Sequence, residues 1–512
     1  MLADLLKTPA KLAWEKIGIQ HTHGIVVPLF ALRSQHSCGI GEFFDLLPLL
    51  PWCHELGLKV IQLLPLNDTG KESSPYSALS AFALNPIHLS LSKLPFLTNE
   101  FDQKIKDLQS LSNSQFIDYP LLYSKRTSFL HDYYYTFKDK LKSINGLKAF
   151  IQANDFWLAP YSRFKAMKEA TDWQPWQSWG EAQFISEDIT LIHQIIQFLC
   201  FQQLQEVKKL ANGHGIFIKG DIPILINKES ADVWHNQELF NLRLTAGAPP
   251  DMYSSDGQNW MFPIYNWDAL EKTNYRWWKK RLEVAKDLYD LYRLDHVVGF
   301  YRIWSIPMGL TGKEGYFVPN DPASWIPHGN KIMKIMLETT NMLPIAEDLG
   351  TVPNEVKEDL KKLGICGTKV MRWERRWNSD RGYIEYENYP FESMTTVSTH
   401  DSETLVLWWK NNPDEARLWA TWKEQPYAPE LSQNNLFTLL FESHRTPSLF
   451  HINLLQEYLA LVPGLTWDDP EDERINLPGT ISSRNWSYRF RPYIEKIIEN
   501  QELKQWMKQL IP

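Results

Sequence analysis

Cysteine is scarce in this chain: four residues in 512, Cys38, Cys53, Cys200 and Cys366, widely scattered. None stands at the paired spacing of a zinc site or a dithiol redox motif, so the four are read as small, reduced, mostly buried side chains. No apolar run approaches the length of a membrane span. The opening MLADLLKTPAKLAWEKIG carries acidic residues and lacks the long apolar core of a secretory signal, so the expected compartment is the cytoplasm. There is no basic block, and the formal net charge is −8. Both facts argue against nucleic acid or an anionic membrane as the main partner and for a neutral or small ligand. A Ser/Gly linker, a low-complexity tract and an internal repeat are also missing. So is an Asp-rich loop of the kind that binds calcium.

What is present is a globular composition, 44 % hydrophobic, in a chain long enough to bury a large core. Aromatic residues make up 13 %. Their flat apolar faces suit the C–H faces of sugars, although a large helical protein also buries many aromatics without such a use. Apolar β-rich runs recur between helical patterns: GIVVPLFAL (24–32), KVIQLLPL (59–66), GIFIKGDIPI (215–224), LYRLDHVVGF (291–300), MLPIAEDLG (342–350), TKVMRW (368–373) and TTVSTH (395–400). Strands apolar on both faces and alternating with helices predict a parallel sheet. A closed (β/α)8 barrel fits best, with an eighth strand expected near RINLPGT, 474–480. The interval between the second and third runs exceeds one crossover helix, and Ile192, Ile195, Ile196 and Leu199 repeat at helical spacing. An inserted, mainly helical subdomain is therefore expected over about 87–205 within a single catalytic barrel of 1–512. Residues 402–512 read as helical, which predicts no C-terminal β-sandwich.

Three carboxylates stand where apolar runs give way to polar turns: Asp295, Glu347 and Asp401. Taken singly, such a residue is more often a cap or an ion-pair partner than a catalyst. Together they would end barrel strands four, five and seven and converge on one mouth, the C-terminal face that carries the chemistry of such barrels. Arg293 and Asp295, two apart on a strand, share a face, and a neighbouring cation keeps a carboxylate ionised. Two carboxylates about 5 Å apart are the arrangement of retaining glycoside chemistry, one attacking and one donating the proton.

The sequence resembles the amylomaltase family, 4-α-glucanotransferases related to the α-amylases, over nearly its whole length. The matching pieces are VPLFALRSQHSCGIGEFFDL (27–46), ESSPYSALSAFALNP (72–86), GDIPI (220–224), SADVW (230–234), PPDMYSSDGQNW (249–260), RLDH (293–296), AEDLG (346–350), THD (399–401), and RINLPGT with RNW near the end. The resemblance implies Asp295 as nucleophile, Glu347 as general acid and base, and Asp401 as the carboxylate that stabilises the transition state and grips sugar hydroxyls. It further implies that Arg293 orients Asp295, that His400 donates to the same glucose, and that Tyr76 stacks beneath its ring. Ser74, Asp221 and Asn476 match sugar-binding positions, though Asp221 beside an apolar run reads equally as a buried structural acceptor. No metal and no cofactor is expected. The implied partners are α-1,4-glucans and maltooligosaccharides, with glucose as an acceptor.

The segment 246–267 has the Pro, Gly and Ser content of a loop yet carries Tyr253, Trp260, Phe262, Tyr265 and Trp267. Solvated loops seldom carry so much apolar surface without a use. Its family counterpart is a lid over the acceptor subsites, in which Asp251, Gln258 and Trp260 match; the plainer reading is a loop packed permanently on the barrel. Departures from the family pattern are Val297 and Val298 after RLDH, Glu229 before SADVW, Ser402 and Glu403 after THD, Met261 and Phe262 in the lid, and a loosely matching TGKEGYFVPN at 311–320. They bear on acceptor preference and product size, and none removes a catalytic carboxylate. An aromatic lid that excludes water favours transfer over hydrolysis. The alternatives are a retaining α-1,4-glucan hydrolase on the same site and a non-catalytic glucan-binding protein.

Overall fold

A computed structural model describes residues 2–180, 186–250 and 255–512. Twelve strands occur among these residues: β1 Thr22–Val26, β2 Val60–Gln62, β3 Phe217–Ile222, β4 Phe240–Ala248, β5 Gln258–Tyr265, β6 Leu291–Leu294, β7 Ile303–Pro307, β8 Tyr316–Val318, β9 Leu343–Ala346, β10 Gly367–Val370, β11 Ser393–Thr396 and β12 Phe450–Leu454. Eight of them form one sheet in the order β10-β11-β12-β1-β2-β3-β6-β9, every neighbour parallel. The ends meet through a parallel bridge between Ile345 and Cys366, with the Ala346 amide donating to the Cys366 carbonyl at 2.8 Å. This is the (β/α)8 barrel expected from the sequence.

The strands are short and buried on both faces because helices cover the outside and side chains fill the inside. One alternation faces outward: Ile61, Ile218, Tyr292 and Leu294 are almost wholly buried. Gly220 belongs to that face, where a Cβ would lie 2.5 Å from the ring of Tyr289. The other alternation faces inward and turns polar toward the mouth: Gln62, Asp221, Arg293 and Thr396.

The eighth barrel strand is Phe450–Leu454, not 474–480. The sequence FHINL is buried throughout and pairs with β1 and β11, whereas the stretch from 474 to 480 is irregular backbone interrupted by Pro478 and Gly479. A Pro cannot donate to a ladder, and Gly weakens one. The run from 402 onward is therefore not wholly helical, although after Leu454 no further strand occurs among the described residues.

Between β2 and β3 lie the long helices Tyr119–Lys142, Leu147–Ala170 and Glu187–Gly213. They anchor the loop that follows β2. Asp68, fully buried, accepts from Lys165 Nζ at 2.8 Å and Tyr161 Oη at 2.7 Å, and Gln197 exchanges hydrogen bonds with the backbone of Leu84 at 2.7 and 2.8 Å. A charge paired and hydrogen-bonded in this way withstands burial. The loop so held carries Ser74 and Tyr76.

A second sheet, antiparallel in the order β5-β4-β7-β8, stands beside the barrel. Much of the segment from 246 to 267, loop-like in composition, is therefore built as the hairpin of β4 and β5. Gln258, Trp260 and Phe262 alternate along β5 and so share one face, which lines the barrel mouth.

Candidate active site

A cleft of about 880 Å3 opens at the C-terminal ends of the barrel strands. Its wall includes Asp295 and Glu347, each directly after its strand, and Asp401, in the turn that follows β11, together with Ser74, Tyr76, Gln258, Trp260, Arg293, His400 and Asn476. Asp221 lies beneath the wall, almost fully buried, and reaches the site through its partners. Asp251 and Tyr253 lie outside the described residues.

Arg293 is the hub. Its Nη1 donates to Asp295 Oδ1 at 2.5 Å and to both oxygens of Asp221 at 3.2 and 3.1 Å, while Nη2 lies 3.7 Å from Glu347 Oε2. Asp221 and Arg293 face each other in register on β3 and β6, which places this ion pair on the barrel's inner surface. Burial works against the guanidinium's charge, but Asp221 and Asp295 outweigh it and hold Arg293 firmly protonated. Desolvation raises the Asp221 carboxyl above the usual range even with Arg293 beside it. A fixed fork of donors aimed at several carboxylates leaves little rotational freedom to any of them.

The chain turns sharply after Asp295. His296 adopts a left-handed backbone, φ 44° and ψ 54°, unusual for a residue other than Gly. In that turn its amide donates to Glu347 Oε2 at 2.9 Å, and the Leu349 amide donates to Oε1 at 3.0 Å. Glu347 nevertheless tends to hold a proton. Desolvation at the cleft base, with the Asp295 charge nearby, pushes its carboxyl up to about 8 against the opposing pull of Arg293. A carboxyl raised in this way can hold and give up a proton near neutral pH, as a general acid must.

Asp401 is set differently. Its crowded position would raise the carboxyl, but the His400 imidazole at 3.2 Å and the Asn476 amide, donating at 2.7 Å, hold it well below the usual carboxylate range. Tyr76 locks this side of the cleft: its hydroxyl donates to Asp221 at 2.8 Å and lies 3.0 Å from His400 Nε2, and its ring stacks on that imidazole at 5.4 Å. Trp260 meets the His296 ring edge-on at 4.9 Å and donates to Gln258 Oε1 at 3.0 Å. Tyr76 thus spends its polar end on protein partners.

Sequence reasoning missed Trp486, which closes around Tyr76 and His400 at 5.6 and 5.8 Å, as well as His296 and Ile481. Trp486 lay inside the RNW motif and His296 inside RLDH, so their signal was available; the fully exposed Ile481 had none. One departure has a structural account: Glu229 accepts from Lys168 Nζ at 2.6 Å and from the Trp176 amide at 3.2 Å, tying a site loop to the helix Leu147–Ala170. Among the described residues no group of three or more His, Cys, Asp or Glu side chains is arranged to hold a metal ion.

A model of the 4-alpha-glucanotransferase family matches residues 27–495. The chain is 43 % identical to a 4-alpha-glucanotransferase of Chlamydia pneumoniae over 98 % of either chain, and 31 % identical to one of Thermus thermophilus over 86 % of this chain and 89 % of that protein. Its fold superposes on an amylomaltase from Streptococcus agalactiae, solved with acarbose, at a TM-score of 0.82 and 27 % identity, covering 96 % of this chain and 98 % of that one. A barrel of this topology, a mouth carrying three carboxylates on the fourth, fifth and seventh strands, and likeness over nearly the whole length lead to one conclusion: the chain belongs to the 4-alpha-glucanotransferase family.

Proposed function

We propose that this chain moves α-1,4-glucan segments between maltooligosaccharides by a retaining double displacement, with glucose or a short maltooligosaccharide as acceptor. Asp295 attacks the anomeric carbon while Glu347 gives its proton to the departing sugar oxygen. The resulting glucosyl ester on Asp295 is then opened by an acceptor hydroxyl, whose proton Glu347 takes back. The observation that carries this reading is the single guanidinium of Arg293 shared by Asp295 and Glu347, with burial raising the Glu347 carboxyl to about 8. Asp401, kept ionised by His400 and Asn476, grips sugar hydroxyls and balances positive charge that develops on the ring.

Transfer depends on an acceptor reaching the ester before water does. The face of Gln258, Trp260 and Phe262 on β5 supports this, since it offers apolar and stacking surface in the wall of the same cleft as the carboxylates. The hairpin segment from 246 to 267 is accordingly a lid over the acceptor subsites. The helices between β2 and β3 form an inserted subdomain whose work is to hold the loop of Ser74 and Tyr76. Among the described residues no helix is long and apolar enough to cross a membrane, and all four thiols are free and buried. Both facts support a cytoplasmic place of work.

The test is incubation with maltotriose and separation of the products. Transfer yields glucose together with a ladder of longer maltooligosaccharides and no net gain of reducing ends. Accumulation of glucose and maltose with rising reducing ends would identify a hydrolase, and unchanged maltotriose a binding protein.

A further inference from the structure

The inward face of β3 carries, two residues before Asp221, a side chain with no evident place in a barrel core. Lys219 is fully buried. Its Nζ donates to Gln62 Oε1 at 2.8 Å and lies 3.1 Å from Met394 Sδ, and both of those neighbours line the cleft. Among the described residues no carboxylate lies within 4 Å of it, unlike the buried Lys165, which rests on Asp68. The charged and titratable groups facing it are Asp221 on its own strand, Arg293 on β6 and Cys366 just ahead of β10; β2 and β11 present only the neutral Gln62 and Met394. Alternation along the strand puts Lys219 one layer below the Asp221–Arg293 pair, directly under the hub that touches Asp295 and Glu347.

We propose that Lys219 is a positioning residue for the proton inventory of the site: a cation under the Arg293 hub in acid, a neutral amine in alkali. Burial, reinforced by Arg293 and only partly opposed by Asp221, brings the ammonium down to about 7. With only the neutral Gln62 and Met394 at its Nζ, no contact holds the proton as pH rises through neutrality. Below neutrality the ammonium adds to the positive potential at the hub, which favours the ionised nucleophile. Above neutrality that charge is gone when Glu347 must still hold its proton. A permanently charged side chain would serve the first need and harm the second, and a neutral one would do the reverse. The lysine satisfies both by losing its charge as pH rises through neutrality.

This inference rests on the assignment of Glu347 as the acid, and the experiment separates the two. The pH dependence of kcat/KM is measured for wild type, Lys219→Met and Lys219→Arg, with maltotriose and with α-maltosyl fluoride, whose leaving group needs no proton. Lys219→Arg should keep the wild-type acid limb and draw the alkaline limb down. Lys219→Met should keep the alkaline limb and move the acid limb up. Each shift is roughly one pH unit, the size expected of a unit charge about 10 Å away at an effective dielectric constant near 20. A buried arginine that fails to fold leaves the acid limb of Lys219→Met to decide. Both limbs unmoved in Lys219→Met, or a uniform fall in rate with no limb displaced, would overturn the proposal and leave Lys219 a packing residue. An alkaline limb of wild type that persists with the fluoride would instead show that the limb does not belong to Glu347, and both readings would fall together.

Discussion

Replacing Glu347 by Gln removes the transferable proton and keeps the side chain's shape. With its carboxyl at about 8, Glu347 is protonated in about nine of ten molecules at pH 7. At the ordinary value of 4.5 the fraction would be about one in 300, so the cleft multiplies the competent acid roughly 300-fold. General acid catalysis is worth about 10²- to 10⁴-fold, and Glu347→Gln should lower kcat/KM for maltotriose by that amount. The same variant should form the glycosyl-enzyme from α-maltosyl fluoride at near the wild-type rate and then stall, because the acceptor hydroxyl has lost its base. The assay is a stopped-flow burst of fluoride followed by steady-state release. One complication comes from the structure: both Glu347 oxygens accept backbone amides, from His296 and Leu349, and a carboxamide must turn its NH2 toward one of them. That clash costs about 1–3 kcal/mol of local stability, so melting temperature is read alongside. Equal loss of the burst with both donors in a variant that remains folded would refute the role.

Asp295→Asn should abolish transfer by several orders of magnitude, measured with maltotriose, while the fold survives because Arg293 keeps Asp221. Near-normal turnover would sink the nucleophile. Trp260→Ala should raise the ratio of hydrolysis to transfer, read as reducing ends released per transferred unit at equal acceptor concentration. Loss of about 1 kcal/mol of stacking corresponds to roughly a fivefold rise, and an unchanged ratio would mean that Trp260 only packs against His296. Exhaustive chelation should leave both rate and melting temperature unaltered, and a loss reversed specifically by calcium would contradict the reading of a site built from side chains alone.

Local patterning made much of the molecule legible. Seven of the eight barrel strands announced themselves as apolar runs, because strands buried on both faces have no polar side to dilute the signal. Asp295, Glu347 and Asp401 stood out because each interrupts such a run at its end. The eighth strand escaped for the opposite reason: FHINL carries His451 and Asn453 outward into a buried polar network with Thr446, Ser443 and Tyr458, so a fully buried strand was passed over in a region that reads as helical, and the strand was expected at 474–480. Strand β5 was hidden in a Gly- and Pro-bearing segment whose pairing partner β4 had not been identified.

The sequence by itself determined the periodicities, and with them the alternation of strands and helices and the identity of the three carboxylates that end strands. Those follow from interactions between near neighbours, which the order of residues states directly. Only the tertiary structure decided what each carboxylate is. Arg293 meets Asp221 from 72 residues away, Asn476 reaches Asp401 across 75, and Tyr76 closes on His400 across 324. Proton affinity depends on desolvation and on charges a few ångströms off, and both are properties of the closed barrel. The same chemical group therefore holds its proton more tightly at 347 and less tightly at 401.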